Sequence, residues 1–224
     1  MLAPILRIFK GLFFLFLIPL TCAAFMEALG FIKSHWKAAL EGWFGIGFAT
    51  YAVGYILFLR GKIDLFETFE HEMAHSIAAL LSFKNINIFA VHSSGAGLVE
   101  LKSKVNGFIA IAPYFLPIFV IPFLVVRPLV SAEVREYVDF FAGLTFCFFC
   151  IRFLKEFRAY QTDLDVLGFH LSAALIIFLN TIVWVVVLSL VAGTPEEIWA
   201  FMLQTWESTK TLLLFIIGKF TPSG

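Results

Sequence analysis

The sequence predicts an all-α integral membrane protein of about six transmembrane helices, with one short membrane-associated β-hairpin after the third. Three observations carry that prediction. Hydrophobic residues make up 61% of the 224-residue chain and charged residues 14%, where a soluble domain carries about a quarter charged. Mean hydropathy is +0.94. The apolar residues also collect into runs long enough to cross about 30 Å of hydrocarbon. The formal net charge is zero and the basic residues are scattered, which gives no support for a nucleic-acid partner. Of the three cysteines, Cys22 stands alone. Cys147 and Cys150 read as small apolar filling of a helix interface rather than a disulfide framework. No linker, repeat or low-complexity tract divides the chain, so residues 1–224 read as a single polytopic membrane domain.

The first apolar run, Ile5 to Gly30, carries Arg7 and Lys10 near its start. Its apolar character continues through Phe25 and Met26, which favours a retained span over a cleaved signal peptide. Phe31 to Glu41 is a polar break containing Lys33, His35 and Lys37. Gly42 to Leu59 forms the second span, and its glycines at 42, 45, 47 and 54 suit close helix packing in lipid. The third helix, Ile63 to Phe83, begins with Asp64, Glu67 and Glu70 and turns apolar after His75. Acids at membrane depth cost a few kcal/mol each, so these should face partners or a wet cavity. Asn85 to Leu101 alternates as a hairpin does, with His92 to Gly97 as its turn, and is too short to span. Asn106 to Val130 is a fourth span broken by Pro113, Pro117 and Pro122. A charged turn then leads to a fifth span, Val138 to Leu154, and the loop from Arg158 to Asp165 leads to a sixth, Val166 to Val191. Pro195, Glu196 and Glu197 open a last helix to about Phe220, spanning or interfacial. Basic residues slightly favour an outside N-terminus.

The chemistry concentrates on the third helix. His71-Glu72-Met73-Ala74-His75 is an HExxH pattern, and four-residue spacing puts both imidazoles on one helix face, where they can share one metal ion. Glu72 is rotated off that line and can serve a metal-bound water as general base. A catalytic zinc takes three protein ligands. After the hairpin the acidic or histidine candidates beside a span are Asp139, Asp163, Asp165 and His170. Of the four aspartates in the chain, two fall in the loop where it re-enters the membrane. Asp163 is the preferred ligand, Asp165 the alternative, His170 the third choice. A helix N-cap at either aspartate is the competing structural role. Glu67, four residues before His71, is placed to accept a hydrogen bond from its second ring nitrogen. His92 reads as a solvated loop histidine. Ser94, Gly95 and Gly97 sit at the hairpin tip, and the hairpin edge would let an extended peptide add as a strand.

An HExxH on an early membrane helix, then Ser94-Gly95-Ala96-Gly97 with Leu98-Val99 in a hairpin, then Ala112-Pro113-Tyr114 and a later Asp at a membrane entry, resemble the site-2 protease family. These are intramembrane zinc metalloproteases of the peptidase M50 type, and the similarity is closest to small bacterial members without extra domains. It covers about Ile63 to Asn180, with HExxH as its one specific motif. The family's usual Asp-Gly at the third ligand is replaced here by Asp163-Leu164. The resemblance implies a metalloprotease core over residues 63–192 with a C-terminal helix at 195–220. It implies Zn²⁺ held by His71, His75 and Asp163, with Glu72 as catalytic base. It also implies a membrane-protein or transmembrane-peptide substrate cut in or near the lipid bilayer, and residence in a bacterial cytoplasmic membrane. Two other readings remain open: a metal-binding adaptor that does not cleave, and a transporter. Acids clustered in one helix and one loop, instead of spread over several spans, count against the transporter.

Overall fold

The computed structural model describes residues 2–92, 96–158 and 161–220. In chain order it contains α1 (Leu2–Glu41), α2 (Trp43–Gly54), α3 (Asp64–Leu81), β1 (Ile86–Val91), β2 (Gly97–Leu101) and α4 (Gly107–Ile111). There follow α5 (Ile121–Val126), α6 (Ala132–Glu156), α7 (Thr162–Asp165), α8 (Phe169–Ala192) and α9 (Glu196–Phe220). Among the described residues, Gly11–Glu41, Ala132–Glu156 and Phe169–Ala192 are long and apolar enough to cross a membrane, and Trp43–Leu59 is a shorter apolar helix. The protein is an integral membrane protein built mostly of helices, with one two-stranded antiparallel sheet.

Two expected elements take a different form. The polar break at Phe31 to Glu41 is helical, so α1 runs unbroken to Glu41. Its Lys, His and Glu side chains are compatible with helix, and hydropathy alone registers only that the stretch is polar. The expected fourth span is a series of short pieces: α4, a 3₁₀ turn at Ala112–Tyr114, α5, and a second 3₁₀ turn at Arg127–Leu129. Each turn carries a proline at its start, as does α5, and a proline lacks the N–H that would continue the preceding helix.

The chain divides into two compact units, residues 37–172 and residues 1–36 with 173–224. In the second of these, Ala24 and Ala28 of α1 pack with Val185 of α8 and Phe201 of α9. Glu27 lies within the apolar helix α1, and there it accepts a 2.6 Å hydrogen bond from Ser208.

The unit of residues 37–172 is organised on α2 and α6. A Cβ at Gly47 would collide with the Phe140 carbonyl, and one at Gly143 with the Phe44 carbonyl. Glycine at both positions therefore lets the two backbones touch, the small-residue packing that replaces the hydrophobic effect between helices in lipid. Tyr51 packs edge-on to Phe148 at 5.7 Å and Lys155 lies over the Tyr55 ring, so the two helices run parallel.

Helix α3 ends in a Schellman turn: Lys84 N–H donates to Ala79 O at 2.9 Å and Phe83 N–H to Leu80 O at 3.0 Å. Phe83 holds the left-handed position at φ 54° that glycine usually fills. This reverses the chain into β1, which pairs with β2 from Val91↔Gly97 to Ile86↔Leu101, with an irregularity at Asn87. Asn106 then caps α4. Its Oδ1 accepts from Ile109 N–H at 2.8 Å, and its Nδ2 donates to Ser82 Oγ at 3.3 Å, fixing α4 against the end of α3.

Candidate metal centre

Helical spacing brings His71 and His75 together, with ring centroids 4.9 Å apart. Each ring is fixed through Nδ1. His75 Nδ1 lies 2.8 Å from Ile109 O; a carbonyl only accepts, so this nitrogen carries the proton. His71 Nδ1 lies 2.9 Å from the Glu156 carboxylate, which likewise only accepts when ionised. Both Nε2 lone pairs are therefore left to face the same point. Asp163 lies beside it: its Oδ2 is 3.4 Å from His71 Nε2 and 3.6 Å from His75 Nε2.

These three side chains form a group that could hold a metal ion, with ligand atoms within 4.8 Å of one another. Separations of 3.4 and 3.6 Å are long for hydrogen bonds. They are close to the edge of a tetrahedron about an ion with bonds of about 2.1 Å, which is about 3.4 Å. Lone pairs converging in this way repel unless a cation or protons lie among them. The donor set, two imidazoles and a carboxylate, suits zinc. Burial pushes the Asp163 carboxyl up, but His71 and His75 outweigh it and hold the group well below the usual carboxylate range. Tyr114 Oη donates to the same Oδ2 at 3.3 Å.

Asp165, two residues on, is exposed, and so are His170 and His92; none belongs to the group. Glu67 does not reach His71. It is buried against Lys155, whose Nζ donates to its Oε2, with Asp64 a further 3.8 Å partner of the same lysine. The acceptor role expected of Glu67 falls instead to Glu156, 85 residues away in sequence, because α6 and not the preceding turn of α3 covers that side of the ring.

Glu156 is itself held by a buried cation. Arg152, fully buried, donates from Nε to Glu70 Oε2 at 2.6 Å, from Nη1 to Glu156 Oε2 at 2.7 Å and from Nη2 to Pro113 O at 2.6 Å. One guanidinium thereby ties α3, the proline-rich segment and α6 to the His71 ring. Arg152 falls inside the expected fifth span, Val138 to Leu154. The available signal was its i,i+4 relation to Glu156.

Glu72 lies about 100° around the helix from His71. Gly97, the first residue of β2, packs directly on it: a Cβ there would come within about 2.5 Å of Glu72 Oε1 and Thr68 Cγ2. β2 thus begins over the carboxylate, and a side chain at position 97 would force the Glu72 and Thr68 side chains to shift. Ser94 and Gly95 lie outside the described residues.

Comparison with curated proteins and with solved structures gives no match. A family does match, across residues 46–195. That span includes α3, the hairpin, Glu156 and Asp163, and it exceeds half the chain. By that match the chain belongs to the Peptidase M50B-like family.

Proposed function

We propose that this protein is an intramembrane zinc metalloprotease that hydrolyses a peptide bond of a membrane-protein substrate within or near the bilayer. Family membership supports a membrane protease. The observation that carries the metal assignment is the convergence of His71 Nε2, His75 Nε2 and Asp163 Oδ2 with both Nδ1 atoms already engaged. His71, His75 and Asp163 would hold the ion. Zinc bound there supplies a Lewis acid for the carbonyl and lowers the pKa of water. Glu72 accepts the proton of the attacking water and returns it to the leaving amine. Gly97 packed on Glu72 places the hairpin beside that step, and the two-stranded sheet leaves an outer edge on each strand. A substrate helix hides its peptide bonds, and an extended segment added along such an edge exposes them.

Glu156 serves as a positioning residue in this account, fixing the tautomer and aim of His71. Glu156→Ala is expected to weaken zinc binding by about 10–100-fold, read by competition with a chelator of known affinity; unchanged affinity would remove Glu156 from the account.

The function is tested with full-length protein reconstituted in liposomes beside a panel of single-span peptides, products being identified by mass spectrometry. Cleavage that stops with a chelator and returns with added zinc is the expected result. An intact panel at saturating zinc would count against proteolysis.

A further inference from the structure

On the side of α3 next to Glu72 lies a cavity of about 540 Å³, lined by Leu65, Phe66 and Phe69 of α3, Phe89 and Val91 of β1, and Phe119. Phe69 joins its walls, edge-on to Phe89 at 5.9 Å and stacked on Phe119 at 6.2 Å. The hairpin turns one face to both the cavity and Glu72. Residues paired across an antiparallel ladder share a face, and Val91 pairs with Gly97, Phe89 with Val99. Gly97 is the residue whose Cβ would meet Glu72. Phe66 and Phe69 precede Glu72 by six and three residues, about 9 and 4.5 Å along the helix axis. The cavity therefore adjoins the Glu72 site.

Aromatic side chains on a membrane protein commonly do no more than meet lipid, and Phe66 is 61% exposed. That explains exposure but not a hollow with a β-strand as one wall. β1 has a free outer edge, whose N–H and C=O groups need partners. An acyl chain would fill the cavity and leave them unpaired. A peptide added along the edge pairs them and sends every second side chain toward α3. A charged or polar side chain would lose its water there and find no polar side chain among the described lining residues. A leucine, methionine or phenylalanine side chain is matched, phenylalanine best because the wall is largely aromatic.

We propose that this cavity binds one large apolar side chain of a membrane-peptide strand laid along β1, and so sets the specificity of cleavage. The specificity role rests on the proteolytic reading of the Glu72 site. An extended chain advances about 3.3 Å per residue, so the residue held lies within about three positions of the bond brought to Glu72. Phe66, Phe69 and Phe89 select the substrate in this way and take no part in the hydrolysis itself.

The test uses full-length protein in liposomes with single-span peptides that carry the photoreactive analogue benzoylphenylalanine at successive positions. Crosslinks and cleavage products are both mapped by mass spectrometry. One position in each bound peptide is expected to crosslink to Leu65, Phe66 or Phe89, with the cut within about three residues of it. Alanine at that position should lower kcat/KM by about 10–200-fold relative to phenylalanine, the scale on which an apolar pocket discriminates. Leu65→Trp, which fills the cavity, should abolish that preference with zinc content unchanged; the ratio is taken within one variant, so loss of folded protein does not move it. Crosslinks that miss these residues would overturn the proposal, since the liposome offers acyl chains in excess as the rival occupant. Equal kcat/KM for the two peptides in an active protein would overturn the specificity role and leave proteolysis standing. Pocket crosslinks without any cleavage would overturn proteolysis and leave the binding site standing. The peptide comparison needs only the native chain, so a variant that fails to fold does not weaken the test.

Discussion

Replacing Glu72 with Gln is expected to slow peptide hydrolysis by about 10²–10⁴-fold while bound zinc stays at the native level. The magnitude is that of a positioned general base and acid. The separation of effects follows from geometry. Glu72 is on the α3 face turned toward Gly97, whereas the groups that converge on one point are His71, His75 and Asp163. Glutamine keeps the size of the side chain beneath the hairpin, so packing against Gly97 survives and only proton transfer is lost. Parallel assays of cleavage and metal content make the comparison. A variant that hydrolyses peptide as fast as the native protein would remove Glu72 from the chemistry.

The second large effect is on stability. Arg152→Met is expected to destabilise the protein by about 3–5 kcal/mol, the cost of breaking a buried ion pair from one side. Glu70 is fully buried, and its Oε2 takes the Arg152 Nε–H; without the guanidinium its charge must be neutralised inside the fold. Glu156 and the Pro113 carbonyl lose a donor in the same substitution. Removing both buried charges, in Glu70→Gln with Arg152→Met, should recover part of the loss, since a neutral pair carries a smaller desolvation penalty. Unfolding midpoints in detergent for the single and double variants measure this. A single variant as stable as the native chain would mean that the network is not holding α3 to α6.

Local chemistry was the legible part of this sequence. The four-residue spacing of His71 and His75 fixes a shared face wherever the backbone is helical, and apolar runs announce helices in a chain of this composition. Hairpin alternation around the 92–97 turn is equally local, and β1 and β2 form where it falls. Asp163 and Asp165 were harder to separate because they share a loop. Their difference arises in the single turn of α7, which sends one carboxylate toward the imidazoles and leaves the other exposed. What sequence could not deliver was pairing at a distance. Glu67 was the obvious partner for His71 by helix spacing, but it answers to Lys155, and the ring is held by Glu156 from the end of α6. Arg152 lies within the expected fifth span, and hydropathy records composition, not which neighbours enclose a side chain.

Three ligand atoms meeting at one ion require a bound metal, and the metal content of purified protein measures that directly. One zinc per chain is expected in the native protein and in Asp165→Ala, and little in Asp163→Ala. Full zinc in Asp163→Ala, or none in the native protein prepared with zinc present, would contradict it.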